Sequence, residues 1–291
     1  MYAPPQTSPV ARHLDQTRET TEALAITYLG QVGFALQHRG ITVVIDPYLT
    51  DSGDRTPDFP RGFWRRNYPA PVKAEELENM DLVLCSHDHL DHTDPETIIE
   101  IARSSPQAIF AGPRKSVSVM AESGIPASRL RVLNADGKPF EFGPVTIHPI
   151  AAAHETYDVD SDGFHAYLSF MICWAGWTLF HAADTVCTRE LSAELAKFDN
   201  IDVAFLPING RDAARRKLGI VGNMNAQEAI SLAVTHHFGL VVPTHYDLCE
   251  ANRGSLPEFV RDLEAADPYR PFKAFRPGEQ LLLPARAEDG R

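Results

Sequence analysis

The run CSHDHLDH contains five side chains that bind metal ions or move protons, all within six consecutive positions. They are His87, Asp88, His89, Asp91 and His92. Without a cation, the mutual repulsion and the desolvation of so many titratable groups would be costly. The pattern therefore favours a metal site over a polar loop that happens to be rich in histidine.

A short apolar strand predicted over Asp81–Cys85 leads directly into this run. Residues two apart in an extended segment point the same way, so His87 and His89 are expected to face one point. Asp94 followed by Pro95 is typical of a helix start. A strand and a helix therefore hold the run on a rigid scaffold.

Further metal ligands are expected at other strand ends, because one metal takes three or four protein ligands and the run alone cannot surround two metals. His154 follows VTIHPIAAA, Asp184 follows WTLFHAA and His245 follows LVVPT. Each of these alone is equally consistent with a residue that binds no metal, but their shared position at strand ends favours a common site. His181 is a candidate to orient Asp184. Asp184 has the alternative role of capping the turn at Thr185.

The order of predicted strands and helices indicates two β-rich halves. Two hairpins, Ile26–Gln37 with Ile41–Asp46 and Ala166–Cys173 with Thr178–His181, are each followed by helices that alternate with strands. Two such halves with helices on one side only would pack sheet against sheet, with the helices outside. The expected fold class is α/β, a four-layer αββα sandwich. One mixed α/β sheet without internal symmetry is the alternative.

The composition predicts a globular protein, because 44% of the 291 residues are hydrophobic. A formal charge of −12 disfavours nucleic acid and anionic membranes as partners. The longest apolar run, residues 167–180, is too short for a membrane helix, which needs about 20 residues. The expected partners are a small-molecule substrate, possibly phosphorylated, and further copies of the chain in a homo-oligomer.

The four cysteines lie far apart in the sequence, which is typical of reduced thiols and predicts a cytoplasmic location. Residues 1–22 lack the basic start and the apolar run of a secretory signal, and they are expected to form an N-terminal tail. A single domain that carries the metal site is expected over residues 23–285. Residues 286–291 are expected to form a C-terminal tail.

The motif H-x-H-x-D-H, followed by His, Asp and His at strand ends, resembles the metallo-β-lactamase superfamily over about residues 24–284. The resemblance implies an αββα sandwich with a site for two divalent metal ions. Matched position by position, it implies three ligands for each metal and one carboxylate that bridges both. These residues are His87, His89 and His154 for the first metal, Asp91, His92 and His245 for the second, and Asp184 for the bridge.

Two further stretches, YLGQVGFALQHRGITVVIDPYL and LPINGRDAARRKLGIVGNMNAQEAISLA, resemble the branch of that superfamily which contains L-ascorbate 6-phosphate lactonases. Two metals that share a water lower its pKa toward neutrality, so the expected nucleophile is a hydroxide. Asp91 and Asp184 are the expected catalytic residues. Asp91 is expected to bond to the nucleophile and to help protonate the leaving oxygen. Nitrogen and oxygen ligands without a thiolate suit zinc or manganese, with iron possible.

The segment from Asn209 to Lys217 is the predicted substrate contact, because it follows the strand that ends at Pro207 and carries four cations in seven residues. Arginine suits bidentate contacts with phosphate. The candidate substrate-binding residues are Asn209, Arg211, Arg215 and Arg216. A solvated loop is an equally good interpretation. The aromatic-bearing loop 50–72, with Arg65 and Arg66, is a second candidate for a functional role.

These features predict a metal-dependent hydrolase that acts on a small phosphorylated sugar lactone or a related ester. A phosphodiesterase acting on small or cyclic nucleotides is the alternative, since the same nucleophile can attack phosphorus. A metal-binding scaffold without catalysis is a third hypothesis. The complete set of ligands disfavours it.

Overall fold

Thirteen strands lie within residues 7–286, the part of the chain that the computed structural model describes. They are β1 (Leu24–Gly30), β2 (Gly33–His38), β3 (Ile41–Ile45), β4 (Leu82–Leu84), β5 (Ile109–Gly112), β6 (Leu130–Val132), β7 (Phe140–Phe142), β8 (Val145–Ala151), β9 (Leu168–Trp174), β10 (Trp177–His181), β11 (Val203–Pro207), β12 (Leu240–Thr244) and β13 (Gln280–Leu283). They form two sheets, with the strand orders β13-β1-β2-β3-β4-β5-β6 and β12-β11-β10-β9-β8-β7.

Seven α-helices lie in the same described range. They are α1 (Pro9–Thr20), α2 (Pro95–Ser104), α3 (Arg114–Glu122), α4 (Arg189–Leu195), α5 (Ala213–Lys217), α6 (Ala226–Thr235) and α7 (Leu256–Ala266). The helix predicted to start at Asp94 does so, and the Asp94 carboxylate accepts hydrogen bonds from the Glu96 and Thr97 amides. None of the described helices is long and apolar enough to cross a bilayer.

The core has three apolar layers, which confirms the αββα arrangement. Between the sheets, Phe34 and Phe205 pack with their ring centroids 4.4 Å apart. On the outer face of the first sheet, α1, α2 and α3 bury apolar side chains such as Ile98. On the outer face of the second sheet, α4, α6 and α7 do the same, with Phe259 fully buried. The alternative of one mixed sheet is wrong.

Strand direction brings several loops to one edge. β3, β4, β5 and β6 are parallel in the first sheet, and β10, β11 and β12 are parallel in the second. β8 is antiparallel to β9, and β9 is antiparallel to β10, so β8 and β10 point the same way. The loops after β4, β8, β10 and β12 carry the predicted metal ligands.

Several elements differ from the sequence-based expectation. The run Ile26–Gln37 is two strands, β1 and β2, separated by a turn at Gln31 and Val32. Within the expected tail of residues 1–22, Pro9–Thr20 form α1, which packs Leu14 into the core of the first sheet. Residues 1–6 lie outside the described part of the chain. Near the other end, β13 pairs with β1, and neither β13 nor α7 was predicted.

The expected C-terminal tail, residues 286–291, lies outside the described part of the chain except for its first residue. Arg286 lies over the Trp177 ring and donates a hydrogen bond to Asp202. This contact ties the chain after β13 to the second sheet.

Candidate metal centre

The loop between β4 and α2 presents the predicted cluster at the edge of the first sheet. His87 and His92 are buried, and their ring centroids lie 3.9 Å apart. His89 is partly exposed, with its ring centroid 4.6 Å from that of His87. Asp91 is also partly exposed, and its Oδ2 atom lies 3.8 Å from His92 Nε2.

The second sheet supplies the remaining three side chains from the ends of β8, β10 and β12. The Nε2 atoms of His245 and His154 lie 3.2 Å and 3.8 Å from Asp184 Oδ2. Asp184 Oδ1 lies 3.3 Å from His92 Nε2. Both sheets therefore contribute to one cluster.

The cluster contains groups of three residues whose possible ligand atoms lie within 4.8 Å of one another. The groups are His87 with His89 and His154, Asp91 with His92 and His245, and His87 with His92 and Asp184. The first two are the two ligand sets that the family resemblance implies. Asp184, the implied bridge, falls between them.

Several polar atoms of the cluster are buried without a hydrogen-bond partner. They are Nε2 of His87, Nε2 of His92 and Oδ1 of Asp184. A buried polar atom without a partner is costly, and lone pairs that converge in this way are what a bound cation satisfies. Imidazole nitrogens and carboxylate oxygens are also suitable ligands for a divalent transition metal. The residues therefore fit a metal.

The electrostatics of the cluster divide its histidines into two kinds. Burial lowers the pKa of His154 to about 4, and burial lowers the pKa of His87 well below its usual value. Burial would also lower the pKa of His245, but the carboxylates of Asp184 and Asp91 outweigh it and raise the pKa to about 9. Without a cation, some histidines are neutral while others form ion pairs.

Asp46 and Ser86 make hydrogen bonds at the cluster and were not predicted as site residues. Asp46 is fully buried, and Oδ2 accepts a hydrogen bond from His92 Nδ1 at 2.9 Å. Ser86 donates to the same carboxylate from its amide and its hydroxyl, both at 2.7 Å. The available signal was the aspartate that ends ITVVID. His181, predicted to orient Asp184, bonds instead to the Val32 carbonyl at 2.9 Å.

Gln31 links the turn between β1 and β2 to the cluster. Its Nε2 donates to Asp91 Oδ2 at 2.8 Å, and its backbone carbonyl accepts the His245 amide at 3.0 Å. The Tyr28 hydroxyl donates to the same carbonyl, at 3.1 Å. Gln31 therefore fixes ligands from both sheets, and it lies in the stretch YLGQVGFALQHRGITVVIDPYL without having been predicted as a site residue.

The backbone around the cluster is strained. Gln31, Asp46, Ala183 and His245 have φ angles of 58°, 43°, 52° and 54°, in the left-handed region that residues with a side chain rarely adopt. Each such residue costs on the order of 1–3 kcal/mol and persists only where its surroundings hold it. Strain of this kind is concentrated at functional sites.

A pocket of about 340 Å³ opens beside the cluster, and His89, Asp91, His154, Asp184 and His245 form part of its lining. The rest of the lining comes from Gln31, from Leu90 and from three segments, at residues 48–64, 219–221 and 248–252. The first of these segments belongs to the aromatic-bearing loop, which therefore lies at the site.

The arginines predicted to contact a substrate phosphate are not among the residues that line this pocket. Arg211 makes a bidentate ion pair with Glu228, with distances of 2.6 Å and 2.7 Å. Arg216 lies 3.3 Å from Glu155 and remains 60% exposed. The structure thus gives these side chains carboxylate partners and does not bring them to the pocket.

Arg215 and Asn209 reach the pocket only through another residue. Asn252 Oδ1 accepts hydrogen bonds from Asn209 Nδ2 at 3.1 Å and from Arg215 Nη1 at 3.0 Å. Asn252 is part of the pocket lining, whereas Asn209 and Arg215 are not. Their contribution is to position Asn252.

The two facing sheets and the histidine–aspartate cluster at their shared edge define an α/β protein with a candidate centre for two metals. The family described as the beta-lactamase superfamily domain matches residues 42–246. Because this match covers most of the chain, the protein belongs to the beta-lactamase superfamily.

Individual proteins are similar to this chain over most of its length. A UPF0173 metal-dependent hydrolase from Pyrobaculum neutrophilum is 26% identical over 262 residues, which cover 89% of this chain and 100% of that protein. The structure of a possible metal-dependent hydrolase from Veillonella parvula matches with a TM-score of 0.70 at 19% identity, covering 90% and 100% of the two chains. Igni18, a metallo hydrolase from Ignicoccus hospitalis, matches with a TM-score of 0.64 at 23% identity, covering 90% and 98%. These structures confirm the predicted fold.

Proposed function

We propose that this protein is a metal-dependent hydrolase that binds two divalent metal ions. The proposed ligands are His87, His89, Asp91, His92, His154, Asp184 and His245. The observation that carries the proposal is their convergence from both sheets, with three buried ligand atoms, on His87, His92 and Asp184, that have no hydrogen-bond partner. The relatives described as metal-dependent hydrolases support the same class of activity.

Asp184 is suited to bridge two cations because its two oxygens face histidines of different ligand sets. Oδ1 lies 3.3 Å from His92 Nε2, and Oδ2 lies 3.8 Å from His154 Nε2. When bound, the metals supply Lewis acidity, which polarises a substrate carbonyl and lowers the pKa of water. The nitrogen and oxygen ligands suit zinc or manganese, and they also accept iron.

Asp91 is the proposed acid–base group. It lines the pocket, and Gln31 Nε2 holds its Oδ2 at 2.8 Å. From this position its carboxylate can take a proton from the attacking water and return it to the leaving oxygen. Gln31 positions the carboxylate without taking part in the proton transfer.

The proposed substrate is a small ester or lactone. Sugar lactones like L-ascorbate 6-phosphate are the first compounds to test, because the sequence resembles the lactonase branch. A phosphate on the substrate has weaker support, since the pocket lining contains no lysine or arginine among the described residues. Phosphodiesters are the competing substrates.

The test combines metal analysis with a panel of substrates. Metal-free protein is reconstituted separately with zinc and with manganese, and it is assayed on a neutral lactone, a phosphorylated sugar lactone and a phosphodiester. We expect two metals per chain by mass spectrometry and hydrolysis of at least one lactone. Two bound metals without turnover on any compound would favour a scaffold over an enzyme.

Asp184→Asn is the decisive variant, because an amide has one good acceptor oxygen and no charge. We expect loss of at least one metal. We also expect a fall in kcat larger than the ~10–100-fold loss that is typical when a hydrogen-bond partner of a metal ligand is removed. Circular dichroism should be unchanged. Asp202→Asn is the matched control, since Asp202 is a buried aspartate just before β11 and is not part of the cluster. Wild-type metal content and turnover in Asp184→Asn would contradict the bridging role.

A further inference from the structure

The pocket beside the cluster has largely apolar walls. Tyr48, Phe59 and Trp64 line it from one segment, and Ile220 and Val221 line it from the segment after α5. Its volume of about 340 Å³ lies near the lower end of the ~300–1,000 Å³ typical of small-molecule sites. The size suits one small substrate.

The aromatic part of the wall is preformed. The rings of Phe59 and Phe63 stack with centroids 4.7 Å apart, and the Trp64 ring meets them edge-on at 5.2 Å and 4.9 Å. All three side chains are partly exposed. Because the rings hold one another, a ligand can pack against them without first ordering the loop.

Polar groups in the walls are engaged with the protein itself. The Tyr48 hydroxyl accepts the Gly53 amide at 2.9 Å, and the Thr56 hydroxyl donates to the Gly53 carbonyl at 3.1 Å. Asn252 Oδ1 already accepts two hydrogen bonds. Asp58, an exposed carboxylate, is the one charged residue of the described lining outside the cluster.

This distribution of charge discriminates between substituents on a substrate. Packed against this wall rather than bound to a metal, a phosphate or carboxylate would leave water without a cation to compensate, which is costly. Asp58 would also repel it. An uncharged apolar group would instead gain by removing its own surface and that of Trp64 from water.

We infer that the substrate carries an uncharged, apolar substituent, an aryl or short alkyl group that packs against Trp64 and Phe59 while the scissile carbonyl lies beside Asp91. This inference rests on the proposed function and narrows its substrate class to apolar esters and lactones. Val221 lines the pocket and is 37% exposed, so it lies at the rim where the substituent enters.

The test measures binding without turnover. Two non-hydrolysable γ-lactams, one with a phenyl group and one with a phosphonomethyl group at the same ring carbon, are titrated calorimetrically into the zinc-reconstituted full chain. The phenyl lactam should bind more tightly, by on the order of tenfold. Trp64→Ala should weaken the phenyl lactam by on the order of tenfold and the phosphonomethyl lactam by less than about twofold.

Val221→Lys is a second variant that adds a cation at the rim without removing an aromatic ring. It should weaken the phenyl lactam and strengthen the phosphonomethyl lactam. Tyr269→Ala is the control, because Tyr269 is an aromatic residue that is 93% exposed and does not line the pocket. It should leave both affinities unchanged.

The inference is overturned if the phosphonomethyl lactam binds as tightly as the phenyl lactam, or if the phenyl lactam does not bind. It is also overturned if neither Trp64→Ala nor Val221→Lys changes the affinity for the phenyl lactam. Tight binding of the phenyl lactam by a protein that hydrolyses no lactone or ester would contradict the proposed function and leave the polarity of the pocket as inferred.

Discussion

Replacement of Asp46 by asparagine tests how the cluster is held in place. The Asp46 carboxylate is fully buried and accepts hydrogen bonds from the Ser86 amide, the Ser86 hydroxyl and His92 Nδ1. Because the His92 Nδ1–H donates to Asp46, the lone pair of Nε2 remains available to a metal. The carboxylate therefore selects the tautomer of His92 that can act as a ligand.

An asparagine at this position cannot satisfy the same three donors. If its amide nitrogen faces Ser86 N–H, two donors oppose each other. If it faces His92 Nδ1, the imidazole must carry its proton on Nε2, and that tautomer cannot bind a metal. Both orientations of Asp46→Asn therefore cost either fold stability or metal affinity.

Two magnitudes follow from this geometry. Loss of an outer partner of a ligating histidine typically lowers metal affinity by about 10–100-fold. Opposed buried donors cost about 1–3 kcal/mol of the free energy of unfolding. At about 2–4 °C per kcal/mol for a chain of roughly this size, the melting temperature of the metal-free variant should fall by about 2–12 °C.

The assay measures metal affinity by competition with a chelator and stoichiometry by mass spectrometry. Asp202→Asn is the matched control, because Asp202 is a buried carboxylate that accepts a backbone amide, from Thr178 at 2.9 Å, and is not part of the cluster. It should lose stability but retain both metals. If Asp46→Asn retains both metals with wild-type affinity, Asp46 does not set the tautomer of His92.

Two further predictions concern charge. The carboxylates of Asp184 and Asp91 raise the pKa of His245 to about 9 in the folded metal-free protein, despite its burial, against about 6.5 when unfolded. The stabilisation by protonated His245 is therefore complete below about pH 6.5 and is lost as the pH rises to about 9. The melting temperature of the metal-free protein should fall across this window, and it should fall less in His245→Gln. An equal fall in both proteins would contradict the prediction. Arg216→Ala should change KM by the same factor for a phosphorylated and a neutral lactone, because Arg216 pairs with Glu155 outside the pocket lining. A KM increase confined to the phosphorylated lactone would instead support the phosphate contact predicted from the sequence.

The convergence of the candidate ligands was predictable because each one follows an apolar run that reads clearly as a strand. His87 and His89 follow β4, Asp184 follows β10 and His245 follows β12. Parallel strands end at a shared edge of their sheet, and the packing of the two sheets against each other brings these side chains near one another. The hairpin of β9 and β10 and the start of α2 were predicted for similarly local reasons, a glycine turn and an N-cap.

The parts that were not predicted depend on partners distant in the sequence. The turn at Gln31 was missed because β1 and β2 are both fully buried, and one polar residue between two such strands did not mark their boundary. Arg211 looked like a phosphate ligand because its partner, Glu228, lies 17 residues away. The role of Asp46 depends on a bond to His92 across 46 residues.

The division of the cluster between the two sheets means that metal affinity and the packing of the sandwich are thermodynamically coupled. A metal held by His87 from one sheet and His154 from the other would act as a cross-link between them, and its binding free energy would add to the stability of their contact. Linkage is reciprocal. A substitution that loosens the packing of Phe34 on Phe205, whose rings lie 4.4 Å apart in the central layer, would therefore weaken metal binding without altering any ligand.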